Sequence, residues 1–280
     1  MVLRPLRTIA LPAAAQAAND AWLAELEASL AAPGADWGRI CRDTLHALWY
    51  PGSRPYDDLL ADAALPAGTR AALLALDPTN VTLEPEYYAD VDAKAFARVK
   101  PLLWLWYSFD RTPLGAHNVD LGVKFRRVLA PRIFRTCGRN FKCFQHTEFS
   151  FGYNMDVGDD VVIHRHVLLD DRGGLVLGDR VSIADYANIY SHTHSIVDQK
   201  DVTCAQTVLE ADVRITYHAT VLAGVKVGRN GMVGAHAVAT KNVRPFHVHV
   251  GIPAKSIRVK PNAPPETYAT ERLGGTEGER

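Results

Sequence analysis

The spacing of apolar residues changes once along the chain. Up to about residue 114 they recur at helical intervals. In DAWLAELEASLAAPG, Trp22, Leu23, Leu26 and Leu30 share one face and the pattern stops at a Pro-Gly break. DWGRICRDTLHALWYPG and LPAGTRAALLALDP repeat both the spacing and the stop, so residues 18–120 are expected to form a helical domain of unknown role. The aromatic run LLWLWYSFD, Leu102 to Asp110, predicts a packing surface rather than a cofactor box, because clustered Trp and Tyr are usually buried.

From about Leu121 the helical period is lost and Val, Ile, Gly and Asp dominate. Divided into sixes, the chain reads VGDDVV and IHRHVL from Val157, then LGDRVS, IADYAN and IYSHTH from Leu177. After an interruption it resumes as LEADVR, ITYHAT, VLAGVK, VGRNGM, VGAHAV and ATKNVR, with small or branched residues in the fifth place: Val213, Ala219, Val225, Gly231, Ala237 and Val243. CGRNFK and CFQHTE precede them, and eight-residue units at FSFGYNMD and from Leu169 place Cys137, Val157 and Leu177 at intervals of 20, each followed by glycine. A period of three sixes plus a two-residue bulge predicts a mainly β chain, a parallel β-helix of about five coils. Each six supplies one short strand of a triangular prism. Its first residue points inward and its fifth sits near a corner, and coils stack about 4.8 Å apart to give a prism of roughly 24 Å. Glycine in the second place is expected where a backbone bend leaves no room for a side chain. The β-helix is expected over 121–258, interrupted by a loop at 195–208 and followed by a flexible tail at 259–280.

These residues resemble the hexapeptide-repeat acyltransferases, nearest their maltose and galactoside O-acetyltransferase branch. FGYNMDVG, Phe151 to Gly158, is similar to that branch's GYNIxIG, and IYSHTHSIVD, Ile189 to Asp198, to its IYTATHPxD. VLAGVKVGRNGMVGAHAVATKNV followed by GIPAKSIR is similar to its closing PGVxIGxxxxIGAGSVVTKxI and GNPAKxIR. The resemblance covers about Arg135 to Arg258 and leaves the helical half unrecognised. It implies a left-handed coil, a homotrimer with sites between neighbouring prisms, and acyl transfer from acetyl-CoA or another acyl-CoA to a sugar or other hydroxyl compound.

It also implies roles for residues. His194 aligns with the general base of the family's THP triplet, a task suited to an imidazole whose reference pKa lies near 6.5. A lone histidine is more often a satisfied polar group than a base. Here, however, His192 and His194 hold the fourth and sixth, outward places of their unit, and His194 immediately precedes the long interruption. His192 aligns with a position that the family does not use for chemistry. His164 and His166 stand where the family carries asparagines, Asp171 matches an aspartate of its ILD segment, and Thr216 and Tyr217 replace the usual glycine or alanine beside the oxyanion donor. These make His164, His166, Asp171, His192 and Tyr217 acceptor-side candidates. For coenzyme A the resemblance points to Ala223, Gly224, Ala235, Thr240, Lys241, Lys255 and Arg258.

Composition narrows the partners. Thirty-one basic and 31 acidic residues cancel, so no global charge draws the chain to nucleic acid or a membrane surface. Four cysteines without a CxxC pair fit a reducing cytoplasm better than a disulfide scaffold. Arg4, Arg7 and an alanine run broken by Pro12 mimic a signal peptide poorly, and residues 1–17 are expected to be a flexible arm. Two rivals stay open at this point. The HxH pairs His164/His166 and His192/His194 would suit a zinc enzyme of the carbonic-anhydrase type, although no metal is the first expectation, and a noncatalytic β-helix scaffold is the third possibility.

Overall fold

The structure, a computed structural model, describes residues 9–115 and 117–268. Six helices come first: α1 (Ala13–Ala31), α2 (Trp37–Trp49), α3 (Tyr56–Leu60), α4 (Ala67–Leu74), α5 (Ala93–Phe109) and α6 (Val119–Ile133). The apolar stripe of α1 buries Leu23, Leu26 and Leu30. Trp22 stacks on Phe109 and Phe125 with ring centroids 6.1 and 5.9 Å apart. Asp36 starts α2 by accepting the amide of Arg39, and Asp92 starts α5 by accepting those of Lys94 and Ala95, the ordinary satisfaction of orphan amides at a helix N-terminus.

The prism follows as five complete coils and the start of a sixth. Its first face runs Thr136–Cys137, Met155–Val157, Leu175–Leu177, Thr207–Leu209 and Lys226–Val227, all parallel. The second runs from Lys142–Cys143 to Met232–Val233 and on to His247–Val250, where Lys255–Val259 adds an antiparallel edge. The third comprises Glu148–Phe149, Leu168–Leu169, Asn188–Ile189, Thr220–Val221 and Val238–Ala239. Inward residues stack as the repeat predicts: Cys137 pairs with Val157, Val157 with Leu177, Leu177 with Leu209 and Leu209 with Val227. Val161, Val181 and Val213 line one corner from inside, and Ala187, Ala219 and Ala237 another, all buried.

The second-place glycines stand where a side chain has no room, as expected, but the bend is not on them. Gly138, Gly158 and Gly178 are not among the residues with positive φ. A Cβ on Gly138 would lie 2.4 Å from the carbonyl carbon of Gly158, and one on Gly178 would lie 2.7 Å from the amide of Ala211. These glycines permit close approach of successive coils. The left-handed bend falls two residues later, on Asn140, Asp160 and Arg180.

Three boundaries differ from those read in the sequence. Helix α1 starts at Ala13, inside the segment expected to be a flexible arm, while residues 1–8 lie outside the described residues. Helix α6 carries helical structure through the boundary expected at 121, so the first strand begins at Thr136. Part of the expected tail is packed: Lys260 donates its Nζ to Asn230 and its amide to Phe246, and Tyr268 donates to the Lys260 carbonyl. Residues 269–280 lie outside the described residues.

The two halves join through the aromatic run. Leu102, Leu103, Leu105, Trp106 and Phe109 are almost fully buried. The Trp106 indole donates to the Thr147 carbonyl at 3.1 Å, and the Tyr107 hydroxyl both donates to Phe149 O and accepts from Phe149 N. The buried Arg126–Asp110 pair bridges α5 and α6; Arg126 also donates to Cys143 O and Asp110 accepts the amide of His146. Removing either partner would strand a buried charge, which is why such a pair ties the helices to the prism.

Candidate active site

After Asn188–Ile189 the chain leaves the prism. Ser191 is the pivot: its hydroxyl donates to the Asp170 carbonyl at 2.6 Å and accepts the Gly173 amide at 2.8 Å. The expected loop is a β-hairpin, in which His192–His194 pairs antiparallel with Val202–Cys204 before the chain rejoins the first face at Thr207. Its turn is held by the Ser195 amide on Asp201 O and by the Ser195 hydroxyl, which accepts the Val197 amide.

Both hairpin histidines are anchored through Nδ1. His194 Nδ1 lies 2.7 Å from the Gln199 carbonyl, which can only accept, so Nδ1 carries the proton and Nε2 the lone pair. His192 Nδ1 lies 2.6 Å from Oδ2 of Asp170. That carboxylate is 1% exposed and also accepts the amides of Ser191 and His192 on Oδ2, with the Ser150 hydroxyl and the Arg172 amide on Oδ1. The two imidazoles meet edge to face, their centroids 5.3 Å apart.

They line a cleft of about 1240 Å³ between the third face and the helical half. Tyr88, Trp104, Tyr107 and Tyr190 supply aromatic wall, and Glu148 and Lys200 supply charge. Trp104 carries a buried indole N–H without a hydrogen-bond partner among the described residues. Arg172, reaching from the bulge of the second coil, grips Asp90 with two hydrogen bonds of 2.8 and 3.1 Å while lying 4.2 Å over the Tyr88 ring. This clasp fixes the helical wall against the prism.

The sequence-derived candidates divide between places. His192 and His194 share the cleft. Asp171 does not line it: its buried carboxylate accepts the amides of Phe151 and Asn154 and holds the eight-residue unit FSFGYNMD in place. Burial raises its pKa to about 6, against the lowering pull of those amides. His164, His166 and Tyr217 do not line this cleft but stand at the corner between the second and third faces, where His146, a cleft residue, is the neighbour of His166. His164 stacks on Phe144. His166 belongs to a column of rings, His146, His166, Tyr186, His218 and His236, with successive centroids 4.7 to 4.9 Å apart. Tyr217 meets that column edge-on at Tyr186, His218 and His236. His164/His166 and His192/His194 therefore occupy different corners, a third HxH pair, His247/His249, stands on the second face, and no group of three His, Cys, Asp or Glu among the described residues is arranged to hold a metal ion.

Of the coenzyme A candidates, Ala223 and Gly224 form the corner after Thr220–Val221, and Thr240 and Lys241 the same corner one coil further on. The Gly224 amide is already committed to the Thr207 hydroxyl at 3.0 Å. Ala235 lies at the other corner, and Lys255 and Arg258 lie on the antiparallel edge of the second face, all exposed. One chain does not bring the two basic groups together.

Sequence reasoning missed Asp170, Arg172 and the helical wall. A signal for Asp170 was present: it stands 20 residues, one coil, before Tyr190, so stacking alone places it beside the segment that carries His192.

Comparison with known proteins agrees with the architecture. No protein-family profile matches the chain. The galactoside O-acetyltransferase of Escherichia coli K12 is 26% identical over 146 residues, which are 51% of this chain and 72% of that protein. A maltose O-acetyltransferase from Clostridium difficile 630 superposes with a TM-score of 0.53 at 23% identity, over 62% of this chain and 91% of its own. A hexapeptide-repeat acetyltransferase from Vibrio cholerae O1 biovar eltor, complexed with acetyl coenzyme A, superposes equally well at 22% identity, over 65% of this chain and 98% of its own. Repeat, prism and relatives together make the chain similar to the galactoside and maltose O-acetyltransferases, with which it shares the hexapeptide-repeat β-helix fold.

Proposed function

We propose that this protein moves an acyl group from coenzyme A to a hydroxyl of a small, sugar-like molecule held in the cleft, with His194 as general base. The observation that carries this is the His194 Nδ1 bond to Gln199 O, which leaves a basic Nε2 on a cleft residue. Nε2 takes the hydroxyl proton as the oxygen attacks the thioester carbonyl. The tetrahedral intermediate collapses, the C–S bond breaks, and the imidazolium returns the proton to the departing sulfur, so the products are an ester and free coenzyme A. The relatives support the donor, since one of them is complexed with acetyl coenzyme A.

Lys241 after Thr240, and Lys255 and Arg258 on the second face, are exposed cations suited to the phosphates of that donor. Their placement on different faces fits a homotrimer in which each donor lies between two prisms, and in which the corner bearing His164, His166 and Tyr217 meets the hairpin of a neighbour. Purified protein should release thiol from acetyl-CoA in the presence of a hydroxyl acceptor. His194→Ala should lower turnover by about 100-fold to 10,000-fold, with the Michaelis constant for the donor unchanged and the acid limb of the pH profile gone. No thiol release across a panel of acyl-CoA donors and hydroxyl acceptors would refute the assignment.

A further inference from the structure

We infer that His192, clamped by Asp170, is a second acceptor-binding group, and that the preferred acceptor carries a hydrogen-bond donor on the carbon next to the hydroxyl that is acylated. This rests on the acyl-transfer reading above and adds a substrate class to it.

His192 is the departure from the relatives' pattern, standing where IYTATHPxD has alanine. The structure gives that departure a built environment. Asp170 is buried and accepts five hydrogen bonds, of which the shortest, at 2.6 Å, comes from His192 Nδ1. With Oδ2 as the acceptor of this bond, the neutral His192 ring carries its proton on Nδ1 and a lone pair at Nε2. His194 reaches the same state by a different anchor, the Gln199 carbonyl. Two residues apart on one strand, the side chains share a face.

The hairpin strand therefore presents two imidazole acceptors to one cleft, their rings 5.3 Å apart and each prevented from turning by its Nδ1 bond. An acceptor with a single hydroxyl satisfies His194 and leaves His192 Nε2 facing water or nothing. One with donors on adjacent carbons satisfies both, and the second bond fixes which hydroxyl meets the base. The donor can be a hydroxyl or an amine, since both present a hydrogen to Nε2. His192 is thus a specificity-determining residue: His194 removes the proton, and His192 selects and orients the molecule from which it is removed.

Rigid probes test this directly. Thiol release from acetyl-CoA is measured with cis-1,2-cyclohexanediol, trans-1,2-cyclohexanediol, cis-2-aminocyclohexanol, cis-1,3-cyclohexanediol and cyclohexanol. The wild-type protein should favour at least one 1,2-disubstituted ring over cyclohexanol by about tenfold in kcat/KM, the worth of one good hydrogen bond, chiefly through KM. The 1,3-diol should show less of this advantage. Which 1,2-compound gains most tells hydroxyl from amine. In His192→Ala the advantage should vanish. His192→Gln, which keeps an acceptor atom and most of the side-chain bulk, should retain part of it and guards against misfolding of the alanine variant. A wild-type protein indifferent to the second donor, or an advantage that survives in His192→Ala, overturns the inference and leaves acyl transfer standing. Absence of thiol release with every probe, and with the wider acceptor panel, fails the acyl-transfer reading and this inference with it.

Discussion

Replacing Asp170 by asparagine isolates the charge that holds the hairpin. Three donors converge on Oδ2, the amides of Ser191 and His192 and the ring of His192, at 2.8, 3.0 and 2.6 Å. An asparagine must therefore keep its carbonyl oxygen there and turn its amino group toward Oδ1's partners. The Ser150 hydroxyl, at 2.8 Å, can rotate to accept, but the Arg172 amide, at 3.3 Å, cannot. A bond to a charged group is worth about 1.5–3 kcal/mol and a neutral one about 0.5–1.5 kcal/mol, so three weakened bonds amount to roughly 3 kcal/mol. Relief from burying a carboxylate offsets part of this. A net loss of about 1–3 kcal/mol is expected for Asp170→Asn. Asp170→Ala, which leaves every donor unpaired, should lose more. Urea unfolding of the three proteins measures both values, and hydrogen exchange at the Ser191 and His192 amides locates the loss in the hairpin. An Asp170→Asn protein as stable as wild type, or one equal to Asp170→Ala, would show that the carboxylate is not what secures these donors.

Further outcomes follow from other parts of the molecule. Lys241→Ala and Arg258→Ala should raise the Michaelis constant for acyl-CoA with the fold unchanged by circular dichroism; an unaltered constant in both removes them from the donor site. Light scattering at working concentration should give three times the chain mass, and a monomer would exclude sites between prisms. The pH dependence of stability contains two opposing parts. Asp171 has a folded pKa raised by burial to about 6 from 3.8, so the native state binds more protons between those values and gains stability as pH falls through 6. His146 and His249 are depressed, first by burial and then by neighbouring histidines and arginines, so they cost stability as pH falls below about 6.5. Between pH 7 and pH 5, wild type should therefore gain about 1 kcal/mol relative to Asp171→Asn in urea titrations, and a constant difference would refute the raised pKa.

The prism was legible because its rule is local and repeated. Whether a residue points inward depends only on its place in a six, so the stack Cys137, Val157, Leu177 and Leu209 could be read from one dimension. The same rule correctly put His192 and His194 outside. It could not say that the segment carrying them becomes a hairpin strand, because antiparallel pairing of His192 with Cys204 depends on residues across a turn without a repeat. Nor could it separate Asp170 from Asp171. Adjacent on the chain, the two carboxylates turn opposite ways, one to the hairpin and one into the bulge, and only the position of the coil below distinguishes them. Alignment drew attention to His164 and His166 because histidine there is unusual, yet within one chain their partners are Phe144 and a column of rings at another corner.

The helical half was opaque for a different reason. Tyr88, Trp104 and Tyr107 reach the cleft from a 3-10 turn's end and from one long helix, and their convergence is decided by how α5 docks on the prism. The docking in turn depends on single long-range contacts, Trp106 to Thr147, Tyr107 to Phe149 and Asp90 to Arg172, that no period announces. In the proposed reaction the base stands on a hairpin that interrupts the repeat and the donor cations on the last coils and their antiparallel edge, whereas most of the wall around the acceptor belongs to the helical half. Acceptor choice can change through that wall, or through a single substitution beside His194 such as His192, without disturbing the coils from which the hairpin projects.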